Sequence, residues 1–128
     1  DGDSSEYAIN STWGSASLTT AASIIVQIRD AADPLQMPLA DEMLLGRHDA
    51  TNTRQPDIDL TPYGALEKGV SRLHATIERN EDVLTLIDLG SSNGTHLNGQ
   101  RLTPHQPRVL REGDEIRLGK LVAHIYFK

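Results

Sequence analysis

The sequence contains no cysteine, few aromatic residues and no long apolar run, and these absences limit what the chain can be. Without cysteine there is neither a disulfide framework nor a thiolate metal site. Aromatic residues make up 4% and hydrophobic residues 38% of the 128 residues, so we expect a mainly aliphatic core. No run approaches the roughly 18 apolar residues of a membrane-spanning helix, and the N-terminus has no basic region followed by an apolar one. We therefore expect a single cytoplasmic domain with no membrane span.

The charge of the chain argues against general binding to nucleic acid. The formal net charge is −6. Residues 1–65 contain ten acidic and three basic residues, whereas residues 66–128 contain eight acidic and nine basic residues. We therefore expect an anionic ligand to be attracted to the second half of the chain, or to isolated arginines of the first half.

Composition divides the chain into a tail and a domain. Residues 1–23 are rich in Ser, Thr, Ala, Gly and acids without a sustained period, which is typical of a flexible tail or linker. From residue 24 onwards, short aliphatic and β-branched runs alternate with turn residues, and no helical period persists. Residues 24–128 are therefore predicted to form an all-β, antiparallel β-sandwich of about ten or eleven short strands. Residues 48–70 form a long connection, which is more often functional than idle.

The most turn-rich stretch runs from Asp88 to Gly99 and reads DLGSSNGTHLNG. Its twelve residues include three glycines, two asparagines and two serines, directly after a strand-like run at 83–87. Glycine and asparagine tolerate positive φ, so the backbone can fold tightly and point several N–H groups towards an anion. Asn98 and Gly99 have the side-chain preference of a two-residue type I′ hairpin. Taken alone, these features indicate only two tight turns in a β protein.

Three short groups follow one another at predicted strand ends: Gly46–Arg47, Ser71–His74, and Ser92–Thr95 with Asn98–Gly99. This ordered set resembles the forkhead-associated (FHA) domain, a β-sandwich of the FHA/SMAD-like type that reads phosphothreonine in other proteins. The resemblance covers residues 24–128. It implies a monomeric, non-enzymatic module of a larger chain that binds a phosphothreonine-containing peptide made by a Ser/Thr protein kinase. It implies no cofactor, metal ion, nucleic acid or membrane.

The resemblance also assigns roles to individual residues. The residues expected to contact the phosphopeptide are Arg47, Ser71, Arg72, Ser92 and Asn93. The residues expected to hold the binding loops in shape are Gly46, His74, Gly94, Thr95 and Asn98. The basic residues that could select neighbouring peptide residues from the rim are Arg54, Lys68 and Arg101.

The chemistry of a phosphothreonine fits these residue types. It carries about −1.5 to −2 charges at neutral pH and three acceptor oxygens. Arg47 offers a planar, permanently charged fork that can bind two of those oxygens, although it could instead form a salt bridge at the rim. Ser71 could equally be a turn serine. Asn93 could pair with the peptide backbone beside the phosphothreonine or close an Asx turn in its own loop.

Three other interpretations remain open or are disfavoured. A phosphate-independent interaction domain could use a sheet face instead of the loops. A hydrolase using Ser71 and His74, or Ser92, is disfavoured, because the spacing of Ser71 and His74 at a loop–strand junction is unproductive and no third orienting group is evident. The other histidines lack metal-ligand spacing, and Asp57 and Asp59 are expected to lie together on a solvated strand face.

Overall fold

A computed structural model describes residues 21–128. Residues 1–20, which make up most of the predicted tail, lie outside the described part of the chain. The described part forms eleven strands and one short 3₁₀ helix at Thr61–Tyr63, without an α-helix. The strands are β1 (Ser23–Ile28), β2 (Leu35–Pro38), β3 (Glu42–Gly46), β4 (Ile58–Asp59), β5 (Leu73–Asn80), β6 (Val83–Asp88), β7 (Thr95–Leu97), β8 (Gln100–Arg101), β9 (Arg108–Leu110), β10 (Glu115–Leu118) and β11 (Leu121–Phe127).

The strands form two sheets, so the predicted all-β sandwich is confirmed. One sheet has six strands in the order β2-β1-β11-β10-β7-β8, and the other has five in the order β4-β3-β5-β6-β9. Every pair is antiparallel except β3 and β4, which are parallel. Pro38 ends β2, an edge strand, where a missing N–H costs no ladder hydrogen bond.

The core between the sheets is aliphatic, as the composition predicts. In β1 the buried residues alternate with partly exposed ones, and Ile24, Val26 and Ile28 point inwards. Leu121 and Ala123 do the same in β11. Among residues 21–128, no aromatic side chain belongs to the buried hydrophobic set, although Tyr63 and Phe127 pack against it.

The start of β5 contains a bulge where it pairs with the end of β3. Leu45 pairs with Ala75, but the next residue, Gly46, pairs with Leu73, so His74 is the extra residue on β5. A bulge re-aims the side chains around it. His74, the extra residue, is fully buried.

Backbone hydrogen bonds join the loops at this end. The N–H of Arg47 donates to the carbonyl of Arg72 at 3.1 Å, which joins the end of β3 to the loop before β5. In the turn between β10 and β11, Gly119 donates to the carbonyl of Gly94 at 3.1 Å, and Lys120 donates to that of Lys68 at 2.8 Å. Loops from both sheets are thereby held together at one end of the molecule.

Candidate functional site

Four of the five residues predicted to contact a phosphopeptide line one pocket. The residues that line this pocket, here termed the arginine pocket, are Arg47, Asn52, Ser71, Arg72, Leu73 and Ser92. Arg47 and Asn52 follow β3, and Ser92 belongs to the loop between β6 and β7. Ser71 and Arg72 belong to the loop before β5, and Leu73 is the first residue of β5. Asn52 was not predicted from the sequence, because it belongs to the long 48–70 connection, whose path no local pattern specifies.

Arg47 directly follows β3, and its guanidinium makes one short hydrogen bond and one long ion pair within the protein. Its Nε donates to the carbonyl oxygen of Val70 at 2.9 Å, which orients the guanidinium plane. Its Nη1 lies 3.8 Å from a carboxylate oxygen of Asp49, so the alternative, a rim salt bridge, is present in a long form. Hydrogen bonds from Thr51 lower the pKa of Asp49, and the charges of Arg72 and Arg47 lower it further.

Gly46 lets β3 approach the loop before β5 closely. A Cβ atom at this position would collide with the backbone carbonyl oxygen of Arg72. Any side chain would therefore push apart the two segments that carry Arg47 and Ser71. The close approach of these two segments therefore requires glycine at position 46.

Ser71 connects the loop before β5 with the loop between β6 and β7. Its Oγ accepts a hydrogen bond from the backbone N–H of Ser92 at 3.2 Å. Its own N–H donates to Nδ1 of His74 at 3.0 Å, and Nε2 of His74 lies 3.0 Å from the carbonyl oxygen of Gly94. Because Nδ1 accepts, the neutral ring must carry its proton on Nε2 and donate it to Gly94. Burial lowers the pKa of His74, in keeping with this neutral form.

Arg72 is exposed and points towards the long connection. Its Nη1 lies 3.4 Å from Oγ1 of Thr51 and 3.4 Å from Oδ1 of Asn52. These two contacts place the 48–70 segment beside the arginine pocket. Because they are long and made to uncharged oxygen atoms, they do not neutralise the guanidinium of Arg72.

Asn93 lies next to the arginine pocket but does not line it. Its Nδ2 donates to the carbonyl oxygen of Gly69 at 2.9 Å, which ties the side chain to the segment before β5. A Cβ on Gly69 would lie 2.5 Å from that nitrogen, so the contact requires glycine. Asn93 lines a second, neighbouring pocket instead.

Asp88 organises the loop between β6 and β7, a role that was not predicted from the sequence. Its buried carboxylate accepts hydrogen bonds from the N–H of Gly90 at 2.9 Å and of Ser91 at 3.2 Å. It also accepts from the hydroxyls of Ser91 and Thr95, both at 2.6 Å. Burial alone would raise the pKa of Asp88, but these hydrogen bonds lower it below its ordinary value. An aspartate two residues before a Gly-Ser-Ser turn is the signal that could have revealed it.

The remaining shape-holding residues have partners in the same loops. Thr95 is buried, and its hydroxyl donates a hydrogen bond to the carboxylate of Asp88. Gly94 has a φ of +85°. Asn98 and Gly99 have φ values of +50° and +85°, as a type I′ turn requires. Asn98 also accepts from the N–H of Glu115 and donates to Asp114, both at 2.9 Å.

Asp57, Asp59 and Arg54 each have partners within the protein. Asp57 and Asp59 flank the buried Ile58, so both carboxylates lie on the solvent-facing side of this segment. Asp57 accepts from the N–H of Leu44 at 2.8 Å, and Asp59 accepts from backbone N–H groups of the long connection. Arg54 forms an ion pair with Glu42 at 2.9 Å, so its charge is already engaged. Within residues 21–128, no cluster of three or more His, Cys, Asp or Glu side chains is arranged to hold a metal ion.

A family model for the FHA domain matches residues 43–119, which is more than half of the chain. The chain belongs to the FHA domain family. FHA domains are protein-interaction modules, not enzymes. In the described part of the chain, no helix has the length and apolar character needed to cross a bilayer.

Curated relatives match over the same region of this FHA domain. Protein FraH of Nostoc is 45% identical over 65 residues, covering 51% of this chain and 22% of FraH. The oxoglutarate dehydrogenase inhibitor of Corynebacterium jeikeium is 39% identical over 77 residues, covering 60% of this chain and 49% of the inhibitor. The chain thus spans about half or less of the length of these relatives.

Solved structures of FHA domains superpose over most of the chain. An FHA domain from Arabidopsis thaliana is 29% identical with a TM-score of 0.67, covering 89% of this chain and 92% of its own. The N-terminal FHA domain of Rad53p from S. cerevisiae, solved in complex with a phosphothreonine peptide, is 25% identical with a TM-score of 0.64. That match covers 82% of this chain and 93% of the yeast domain.

Proposed function

We propose that this FHA domain binds phosphothreonine-containing segments of other proteins through the arginine pocket. The observation that carries the proposal is the convergence of Arg47, Ser71, Arg72 and Ser92 on one pocket. Two guanidinium groups supply positive charge, and two serines supply hydroxyl donors, which together match a dianionic tetrahedral group.

The contacts within the loops support this role because they leave donors available. Arg47 uses its Nε on a backbone carbonyl, and the nearest carboxylate, that of Asp49, is 3.8 Å from Nη1. Arg72 makes only contacts of 3.4 Å with neutral oxygen atoms. A phosphate entering the pocket would therefore replace weak partners with strong, charge-assisted ones.

Asn93 would act at the edge of the arginine pocket. Its Nδ2 is fixed on Gly69, which leaves the side-chain carbonyl oxygen as an acceptor for a peptide N–H. We therefore propose that Asn93 aligns the peptide backbone next to the phosphothreonine.

The strength expected of such a site is moderate. A charge-assisted hydrogen bond contributes roughly 1.5–3 kcal/mol. Four of them, less the costs of association and ordering, leave about −8 kcal/mol, which corresponds to near-micromolar affinity. The proposal includes a Ser/Thr protein kinase that supplies the phosphothreonine, a cytoplasmic location where ATP is available to that kinase, and a monomeric module within a larger chain.

Chemical-shift mapping with a phosphothreonine peptide and its unphosphorylated counterpart tests which surface binds. We expect phosphate-dependent shifts in the amides of Arg47, Ser71 and Ser92. Shifts confined to a sheet face, or identical shifts with both peptides, would instead support the phosphate-independent interaction domain and overturn the proposal.

A further inference from the structure

The side-chain amide of Asn52 contains a hydrogen-bond donor that the free domain does not use. Its Nδ2 is buried and has no hydrogen-bond partner within residues 21–128. The other buried side-chain nitrogen without a partner in this part of the chain is Nδ1 of His96, which need carry no proton, whereas an amide nitrogen always carries two. A buried donor without a partner destabilises a protein, so this group requires an explanation. Because Asn52 lines the arginine pocket, a ligand of that pocket can provide one.

The contact with Arg72 shows which end of the amide is unpaired. Nη1 of Arg72 lies 3.4 Å from Oδ1 of Asn52. A guanidinium group only donates hydrogen bonds, so the atom of the amide that faces it must be the oxygen. The atom left without a partner is therefore the nitrogen, which can donate to an acceptor that enters the pocket.

The main chain holds Asn52 in place before any ligand arrives. Its N–H donates to the carbonyl oxygen of Asp49 at 3.0 Å, and its own carbonyl oxygen accepts from Nε2 of Gln55 at 3.0 Å. The N–H of Asp49 donates to Oε1 of Gln55 at 3.1 Å, and Nε2 of Gln55 donates to the carbonyl oxygen of Asp49 at 2.7 Å. Residues 49–55 therefore form a closed, internally bonded turn, so little ordering is needed when Asn52 binds a ligand.

The surroundings of the amide favour an anion as its missing acceptor. The guanidinium groups of Arg47 and Arg72 line the same pocket. The one carboxylate within ion-pair distance of Arg47 in the described residues is that of Asp49, and its Oδ1 already accepts from the N–H and the hydroxyl of Thr51. An acceptor for Asn52 must therefore come from outside the turn, and the positive charge of the pocket attracts an anionic one.

We propose that Asn52 is a further phosphate-binding residue, whose Nδ2 donates a hydrogen bond to an oxygen atom of the phosphothreonine phosphate in the arginine pocket. This inference rests on the proposed function and adds to the site a residue of the long 48–70 connection. The exposed guanidinium of Arg72 gives up two contacts of 3.4 Å when it turns towards the phosphate, and its movement opens the amide nitrogen to the pocket. The donor that is unpaired in the free domain then gains a charged acceptor.

Replacement of Asn52 by alanine separates this binding role from a structural one. Because Nδ2 has no partner in the free domain, Asn52→Ala should unfold at the same urea concentration as the wild type or at a higher one. It should bind a phosphothreonine peptide about tenfold more weakly, the size of one hydrogen bond to a charged acceptor. The matched control is Asn80→Ala, which removes an amide at the opposite end of β5 from Leu73 and should keep the wild-type affinity.

A minimal ligand shows whether the acceptor is the phosphate. Phosphothreonine with an acetyl group and a methylamide group at its ends keeps the phosphate but lacks the neighbouring residues of the peptide. In NMR titrations, Asn52→Ala should weaken binding of this ligand by the same factor as binding of the peptide. A loss of affinity with the peptide alone would assign the amide to the peptide backbone and overturn the phosphate contact.

The outcomes separate this inference from the function on which it rests. Wild-type affinity in Asn52→Ala, in a domain that binds only the phosphorylated peptide, overturns the role of Asn52 alone. A clearly lower urea midpoint in Asn52→Ala also overturns it, because the amide would then have a structural partner in the free domain. A wild-type domain that binds the peptide equally well without its phosphate overturns the proposed function and the role of Asn52 together.

Discussion

Nδ1 of His74 accepts a hydrogen bond from the backbone N–H of Ser71 at 3.0 Å, while Nε2 of the same ring lies 3.0 Å from the carbonyl oxygen of Gly94. One buried imidazole therefore joins the loop before β5 to the loop between β6 and β7. Both loops contribute to the arginine pocket, so the shape of the pocket depends on this ring remaining neutral.

Folding stability should decrease when the pH falls below about 6.5. The pKa of His74 is lowered in the folded state, so the unfolded chain binds more protons between the two pKa values. The loss begins at the unfolded pKa, has a slope of at most about 1.4 kcal/mol per pH unit, and ends below the folded pKa. Urea unfolding from pH 7.5 to pH 5 measures it.

The matched variant for that experiment is His74→Asn, because the pKa of His96 is also lowered and contributes in the same direction. Removing His74 should reduce the slope while His96 remains. Equal slopes in the wild type and in His74→Asn would contradict the assignment to His74.

Replacement of Asp88 by asparagine should destabilise the domain by about 2–4 kcal/mol, because hydrogen bonds to a buried charged acceptor are among the strong ones. Asp88 accepts four such hydrogen bonds, including those from Ser91 and Thr95. Because its folded pKa is depressed, this stability is present above pH 3.8 and is lost as the pH falls through the folded pKa. Denaturant unfolding of Asp88→Asn checks the magnitude. The exposed Asp82→Asn serves as control, and equal stability of both variants would refute the role of Asp88.

The sequence predicts local features of this fold well. Asn98 and Gly99 require positive φ at neighbouring positions, and that preference alone specifies the type I′ hairpin between β7 and β8. The alternation of Ile24, Val26 and Ile28 likewise gives the inner face of β1. Both signals act within a few residues, so tertiary structure does not override them.

Features that depend on distant segments could not be predicted in this way. The parallel pairing of β3 with β4 joins Leu45 to Ile58, across a connection without a repeating pattern. The position of Asn52 in the arginine pocket follows from the same connection. The contact between Asn93 and Gly69 depends on how two loops pack. Because of this contact, the amide of Asn93 does not line the arginine pocket, where the sequence had suggested it would lie.

Substitution of Arg47 by alanine should weaken phosphopeptide binding by about 10- to 150-fold. One charge-assisted contact is worth roughly 1.5–3 kcal/mol, and the serines cannot replace its charge. Calorimetry with a phosphothreonine peptide measures the loss, and thermal unfolding shows whether the domain remains folded. Arg79→Ala, which removes the same charge at the end of β5 farthest from the arginine pocket, should bind as the wild type does. Wild-type affinity in a folded Arg47→Ala domain would remove Arg47 from the site.

Selectivity for phosphothreonine over phosphoserine should be modest unless the threonine methyl group is enclosed. Leu73 is the apolar residue that lines the arginine pocket, and it is 37% exposed in the free domain. Burying one methyl group against it contributes about 0.8 kcal/mol, or about a fourfold difference in affinity. In Leu73→Ala, the affinity ratio between the two phosphopeptides should approach one. A ratio that does not change would place the methyl group elsewhere.

The most direct test of the phosphothreonine-binding function is isothermal titration of the wild-type domain with one threonine peptide in its phosphorylated and unphosphorylated forms. The sequence of the peptide is the same in both titrations, so any difference in affinity belongs to the phosphate group. We predict near-micromolar binding of the phosphorylated form and at least a hundredfold weaker binding of the other, since Arg47 and Arg72 would then lose their shared anion. Equal affinities for the two forms would contradict the account.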